Sequence, residues 1–366
     1  MGDQSQAPRN HHEAWAEWAW VRAEGAMNTS DVDGPGNDTF VEPRTQAWLE
    51  EFEAATAGAP PVYELSPQDA RQAFRHLQAS VPVDLATADL ATADVATTDI
   101  EDRTIAGGPT GEVDIRIVRP REASGALPVV LHCRGGGWVL GDKDTHDRLI
   151  RELAVRAGAV VVFVDYTPAP EARYPVQNEQ AYAALEWVAA NPTELAAAPN
   201  RIAVVGDSAG GAIAAALTLM AKQRRGPRIA AQVLFYPTTD ANFHTPTYER
   251  FAEGPWLTRR AMEWFWDAYL PDHGRRSEPT AAPLRASSGQ LGGLPRALVI
   301  NGENDVLRDE GEAYARRLAQ AGVRVTQVRY GGTIHDFVLL NPIARAPAAR
   351  AGTVQAGEFL REALAR

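Results

Sequence analysis

Apolar positions change their rhythm near residue 111. Before it, Trp48, Leu49 and Phe52 recur at helical spacing within 44–55, and Ser66-Pro67 reads as an N-cap with proline in the first turn, ahead of Ala70, Phe74 and Leu77. No strand pattern separates these helices. The stretch 84–100 repeats Ala-Thr-Ala-Asp or close variants with few large apolar residues, which predicts a linker. Beyond residue 111, Val113, Ile115 and Ile117 alternate with polar residues, as an edge or half-buried strand does. Residues 129–133 and 159–164 are nearly continuous apolar runs of the buried parallel type. Further strands are predicted at 202–205, 232–236, 297–300 and 323–330. Helices are predicted at about 145–157, 176–190, 208–224, 309–321 and 353–365. This alternation predicts an α/β fold with a mostly parallel sheet flanked by helices. Residues 240–285 interrupt it with Trp256, Met262, Trp264, Phe265, Trp266 and Tyr269, a helical insertion with Thr258 as N-cap that suits a lid or pocket wall.

Around the predicted strand 202–205 the pattern becomes specific. Gly206-Asp207-Ser208-Ala209-Gly210 follows the strand and an Ala-rich helix follows it, so Gly-x-Ser-x-Gly sits on a strand–turn–helix junction. Such a turn holds serine in a strained conformation with its hydroxyl above the sheet edge, and small neighbours let the chain pass close to itself.

Composition narrows the function. The chain has 366 residues, enough for a large core, with 45% apolar and 23% charged residues. A net charge of −11 argues against nucleic acid or anionic membrane as partner. The single cysteine, Cys133, excludes an internal disulfide. No apolar run of about 18 residues and no signal-like segment occurs, so the expectation is a cytoplasmic enzyme without a membrane span. Trp15, Trp18 and Trp20 are costly to leave in water, so either they cap part of the fold or residues 1–40 form an irregular or association arm that contacts another copy in a homo-oligomer.

A serine hydroxyl needs a base, and the base needs an orienting group. Of 8 histidines, His335 alone follows the last predicted strand in a loop able to reach over the sheet's carboxyl edge. His132 lies inside a strand, and His146 falls on a predicted helix. The acid should follow a strand between serine and histidine. Asp305 does so, with Glu303 and Asp309 as alternatives. Asp309 has a structural explanation in the first turn of the next helix, and Glu303 precedes the apex of the turn. Asp336 is expected to cap or pair locally. Gly135-Gly136-Gly137-Trp138 after the strand 129–133 could aim backbone amides at an oxyanion. A phosphate loop is the weaker rival, because no Gly-Lys-Ser/Thr ending follows.

The glycine run with Trp138 and Gly141-Asp142, Asp165-Tyr166 with Pro170-Glu171 and Tyr174-Pro175, Gly206 to Gly210, Asp305 to Glu310 and His335-Asp336-Phe337 together resemble the hormone-sensitive-lipase family of bacterial esterases. The resemblance covers roughly residues 45–365. It implies an α/β-hydrolase fold with a helical cap, made of an N-terminal region (1–105) and the insertion at about 240–285, on a catalytic domain of residues 106–366. It implies hydrolysis of small-molecule esters with short-to-medium acyl groups, without cofactor or metal. Carried over by motif, Ser208, Asp305 and His335 form the triad, and the amides of Gly136, Gly137 and Ala209 the oxyanion hole. Trp138, Asp207, Trp256 and Phe337, beside these motifs, are the candidate substrate-binding residues. The family has His-Gly-Gly-Gly where this chain has Arg134. Arginine could brace the glycine loop differently, attract acidic substrates or compete for a carboxylate. Under bracing, Arg134→His should retain or improve ester turnover. A binding protein on a hydrolase scaffold, or an amidase, lactonase or acyltransferase, stays open as an alternative.

Overall fold

The computed structural model describes residues 39–82, 97–121 and 123–365. The tryptophan-rich arm and residues 84–96 of the expected linker lie outside them. Eight strands form one sheet among the described residues: β1 (Thr98–Ala106), β2 (Glu112–Pro120), β3 (Leu127–Cys133), β4 (Val160–Asp165), β5 (Ala197–Asp207), β6 (Ala231–Phe235), β7 (Arg296–Asn304) and β8 (Val325–Ile334), in the order β1-β2-β4-β3-β5-β6-β7-β8. Strand β2 runs antiparallel to both β1 and β4, and β3 to β8 are parallel. The central parallel strands are buried on both faces, which is why they read as continuous apolar runs.

Two expectations need correction. The linker was expected to run to residue 100 and the N-terminal region to 105, but β1 begins at Thr98 and belongs to the sheet. As an edge strand it covers little, with Asp99, Ile100, Glu101, Asp102 and Thr104 all exposed, so it carries almost no apolar signal. Of the two readings of strand β2, the half-buried one holds, with Glu112 and Asp114 exposed and Val113 and Ile115 buried, while the strand itself is interior; its Arg116 is tied down by the carboxylates of Asp102, Asp144 and Asp147.

Ten α-helices accompany the sheet among the described residues: α1 (Pro43–Ala55), α2 (Pro67–Ala79), α3 (Asp147–Ala157), α4 (Val176–Ala190), α5 (Ala209–Arg224), α6 (Pro246–Arg250), α7 (Arg259–Tyr269), α8 (Ser288–Leu291), α9 (Arg308–Gln320) and α10 (Pro347–Leu364). Ser66 caps α2 by accepting from the Asp69 amide, and Thr258 caps α7 by accepting from the Ala261 amide. Helix α10 packs on α3, and α4 on α5. No helix among the described residues is long and apolar enough to cross a membrane.

The α1 and α7 regions meet over the sheet's carboxyl edge. Trp48 and Phe52 of α1 contact the Trp256 ring at centroid separations of 5.3 and 5.6 Å. Beneath them, β3, β5, β7 and β8 end at Cys133, Asp207, Asn304 and Ile334, so Arg134, Ser208, Asp305 and His335 each stand one residue beyond a strand. Ligands of open parallel sheets bind at that edge.

Candidate active site

Ser208 has φ 53° and ψ −120°, a region costly for a residue with a Cβ. The surroundings hold it there. Its amide donates to the Phe235 carbonyl at 2.9 Å, and its carbonyl accepts from the Thr238 amide at 3.0 Å. A side chain on Gly206 would overlap the Gly210 carbonyl, and one on Gly210 would overlap the Cys133 carbonyl. Glycine at both positions is therefore what allows the chain to cross itself at this turn.

Ser208 Oγ donates to His335 Nε2 at 2.9 Å, and His335 Nδ1 donates to Asp305 Oδ2 at 2.7 Å. The other Asp305 oxygen accepts from the Leu307 amide at 2.9 Å, which fixes the carboxylate. The alternatives are engaged elsewhere: Glu303 accepts from the Gly332 amide and Asp309 from the Thr247 amide. The Tyr236 ring edges against the imidazole at 4.7 Å. Burial opposes a charged His335, but the carboxylates of Asp305 and Asp336 outweigh it and raise the ring to about 9.

The glycine loop lies beside this relay. Gly136 and Gly137 have φ of 88° and 59°, and no protein acceptor takes the amides of Gly136, Gly137 or Ala209 among the described residues. Ala209 opens α5, where the first amides lack intrahelical acceptors. Phe265 of α7 covers the loop so tightly that a side chain on Gly137 would overlap its ring.

Arg134 is buried and does not line the cavity. Its guanidinium donates to the carbonyls of Leu140 and Tyr166, lies 3.9 Å from the Tyr166 ring centroid and stands 3.4 Å from Asp165. The Gly136 carbonyl in turn accepts from the Leu140 amide at 2.7 Å. Arg134 thus ties down the far end of the loop. Of the roles expected for it, bracing fits; a charge that meets substrate does not.

A cavity of about 30 Å³ lies at Ser208, bounded by Val62, Phe74, Gly136, Gly137, Leu140, Trp256, Leu257, Ala261, Met262, Phe265, His335 and Asp336. Of the four expected substrate-binding residues, only Trp256 is on its wall. Trp138 is buried and stacked on Tyr269 at 4.1 Å, anchoring the loop to α7. Phe337 packs against Tyr236 and Tyr330. Asp207 is buried beneath the loop, where its carboxylate accepts from His146 Nε2 at 3.2 Å, with His132 Nε2 at 3.6 Å. Burial alone would raise Asp207, but the two histidines hold it below the usual carboxylate range. Sequence proximity to a catalytic motif did not fix where these three side chains face.

Further wall residues come from positions with no catalytic motif. Val62 and Phe74 come from the N-terminal region and carry no local mark of a pocket. Asp336, expected to cap or pair locally, does stand 3.5 Å from the neighbouring His335 Nε2, but it is also on the wall: its Oδ2 accepts from Trp256 Nε1 at 3.2 Å, and burial raises it.

Residues 130–339 match the family described as the alpha/beta hydrolase fold. The chain belongs to the α/β-hydrolase fold family. It is 36% identical over 330 residues to an alpha/beta hydrolase of Acanthamoeba polyphaga mimivirus, covering 89% of this chain and 88% of that one. Carboxylesterase NlhH of Mycobacterium tuberculosis is 40% identical over 266 residues, 72% of this hydrolase and 82% of NlhH. Among solved structures, a thermostable esterase from Pseudomonas putida superposes with a TM-score of 0.84 at 48% identity, covering 90% of this chain and 99% of that one. The resemblance to hormone-sensitive-lipase esterases read from five motifs therefore holds for this α/β hydrolase.

Proposed function

We propose that this α/β hydrolase is a serine carboxylesterase acting on small, uncharged esters of short acyl chains, with Ser208, His335 and Asp305 as its triad and the amides of Gly136, Gly137 and Ala209 as its oxyanion hole. The observation that carries the reading is the unbroken relay Ser208–His335–Asp305, at 2.9 and 2.7 Å, beside those amides. Neutral His335 takes the Ser208 proton through Nε2 as Oγ bonds to the ester carbonyl carbon, and Asp305 stabilises the imidazolium. The carbonyl oxygen gains negative charge, which the amides stabilise by donating hydrogen bonds to it. The imidazolium then gives its proton to the departing alkoxide, leaving an acyl-serine that water hydrolyses by the same steps.

The cap, as we read it, is α1, α2 and the insertion at about 240–285. Its apolar side chains over a small cavity favour short acyl groups, and the carboxylate of Asp336 disfavours acidic ones. Names of the relatives, such as carboxylesterase and ethyl acetate hydrolase, support this class. The test is turnover of p-nitrophenyl esters of rising acyl length, with Ser208→Ala as control. Acetate and butyrate should outpace octanoate, and Ser208→Ala should lose at least about 10⁴-fold in kcat. Ester turnover undiminished in Ser208→Ala would refute the reading.

A further inference from the structure

We infer that Asp336 positions the water that hydrolyses the acyl-enzyme. The inference rests on the Ser208 acyl-enzyme reading and concerns only its second half. Asp336 is nine-tenths buried, stands on the cavity wall and is held there at both ends. Its backbone carbonyl accepts from the amides of Leu339 and Leu340, and its Oδ2 accepts from Trp256 Nε1. Oδ1 has no hydrogen-bond partner, and it lies 3.5 Å from His335 Nε2.

These facts form a water site. In deacylation one O–H of the water must point at Nε2 of neutral His335, which removes that proton as the oxygen bonds to the acyl carbon. The second O–H also needs an acceptor, and the apolar wall residues Phe74, Leu140, Leu257, Met262 and Phe265 supply none. Asp336 Oδ1 supplies it: two acceptors 3.5 Å apart can both lie at about 2.8 Å from one oxygen. The tetrahedral intermediate then collapses with cleavage of the bond from carbon to Ser208 Oγ, the imidazolium returns its proton to Oγ, and the carboxylic acid leaves.

Methanol distinguishes this role from a structural one, since its single O–H is satisfied by His335 alone. Asp336→Asn is the informative variant. Asparagine suits the φ of 62° at this position, and its carbonyl can keep the Trp256 bond while its NH₂, a donor, faces the water. Wild type and variant are compared on p-nitrophenyl acetate with rising methanol, each at its own high-pH plateau. The measurements are kcat/KM, which reports acylation, and the ratio of methyl acetate to acetate formed. The expected result is a methanolysis-to-hydrolysis ratio raised about tenfold, the effect of one unpaired polar group, and because both products form from one acyl-enzyme the ratio is read independently of any change in kcat/KM that the substitution causes through His335. An unchanged ratio would overturn the inference. Undiminished turnover in Ser208→Ala would instead overturn the acyl-enzyme reading, a failure visible without the Asp336 variant.

Discussion

Replacing Arg134 with methionine removes a buried guanidinium while keeping most of its stem. Two buried carbonyls, those of Leu140 and Tyr166, lose their donor. At about 1–3 kcal/mol for each unsatisfied group, less what the methionine recovers in packing, the cost is roughly 2–4 kcal/mol. Asp165 adds little, because its side chain is partly exposed and water replaces the guanidinium. Unfolding entropy of about 2.1 cal/mol/K per residue over 366 residues is about 0.8 kcal/mol/K, so Tm should fall by roughly 3–5 °C. The larger effect belongs to catalysis. Leu140 closes the loop that carries the Gly136 and Gly137 amides, and complete loss of one oxyanion donor costs about 10²–10³ in kcat. With the proposed oxyanion role of these amides, a loop loosened at one end should lose about 10–100-fold in kcat with little change in KM, because such amides would favour the transition state over bound ester. Calorimetry together with turnover of p-nitrophenyl acetate and of mono-p-nitrophenyl succinate measures both effects. The two esters should lose equally, and Arg134→His, which restores a donor, should retain more turnover than Arg134→Met. Unchanged kcat at a lowered Tm would refute the bracing argument. A loss confined to the anionic ester would return Arg134 to the pocket.

Two further predictions follow from the same geometry. With His335 raised to about 9, kcat/KM on a neutral ester should climb with pH and level off only above that value, and the stability that the charged ring confers should be complete below about pH 6.5 and lost as pH rises through 9. Asp305→Asn should move the activity limb to lower pH, and a limb that stays in place, read by pH–rate profiles, would contradict the coupling. Gly210→Ala should cost more than about 3 kcal/mol or abolish folding, since its Cβ would meet the rigid Cys133 carbonyl rather than a movable side chain; a denaturant midpoint within error of wild type would count against the crossing geometry.

The amino-acid sequence alone determined whatever depends on near neighbours. Gly206 just before Ser208 marks the strained turn because its Cβ would meet the Gly210 carbonyl four residues on, and strands buried on both faces announce themselves as apolar runs. The order serine, acid, histidine could be read because each follows a strand, so the alternation of elements placed all three at one edge. Tertiary structure decided where loop and edge side chains face. Strand β1 escaped notice because an edge strand needs little apolar surface, and Trp138, Asp207 and Phe337 turned inward against partners distant in sequence. Arg134 became a brace only through carbonyls at residues 140 and 166, while Asp336, adjacent to the histidine all along, joined the site because Trp256, eighty residues earlier, holds one of its oxygens and leaves the other to the cavity.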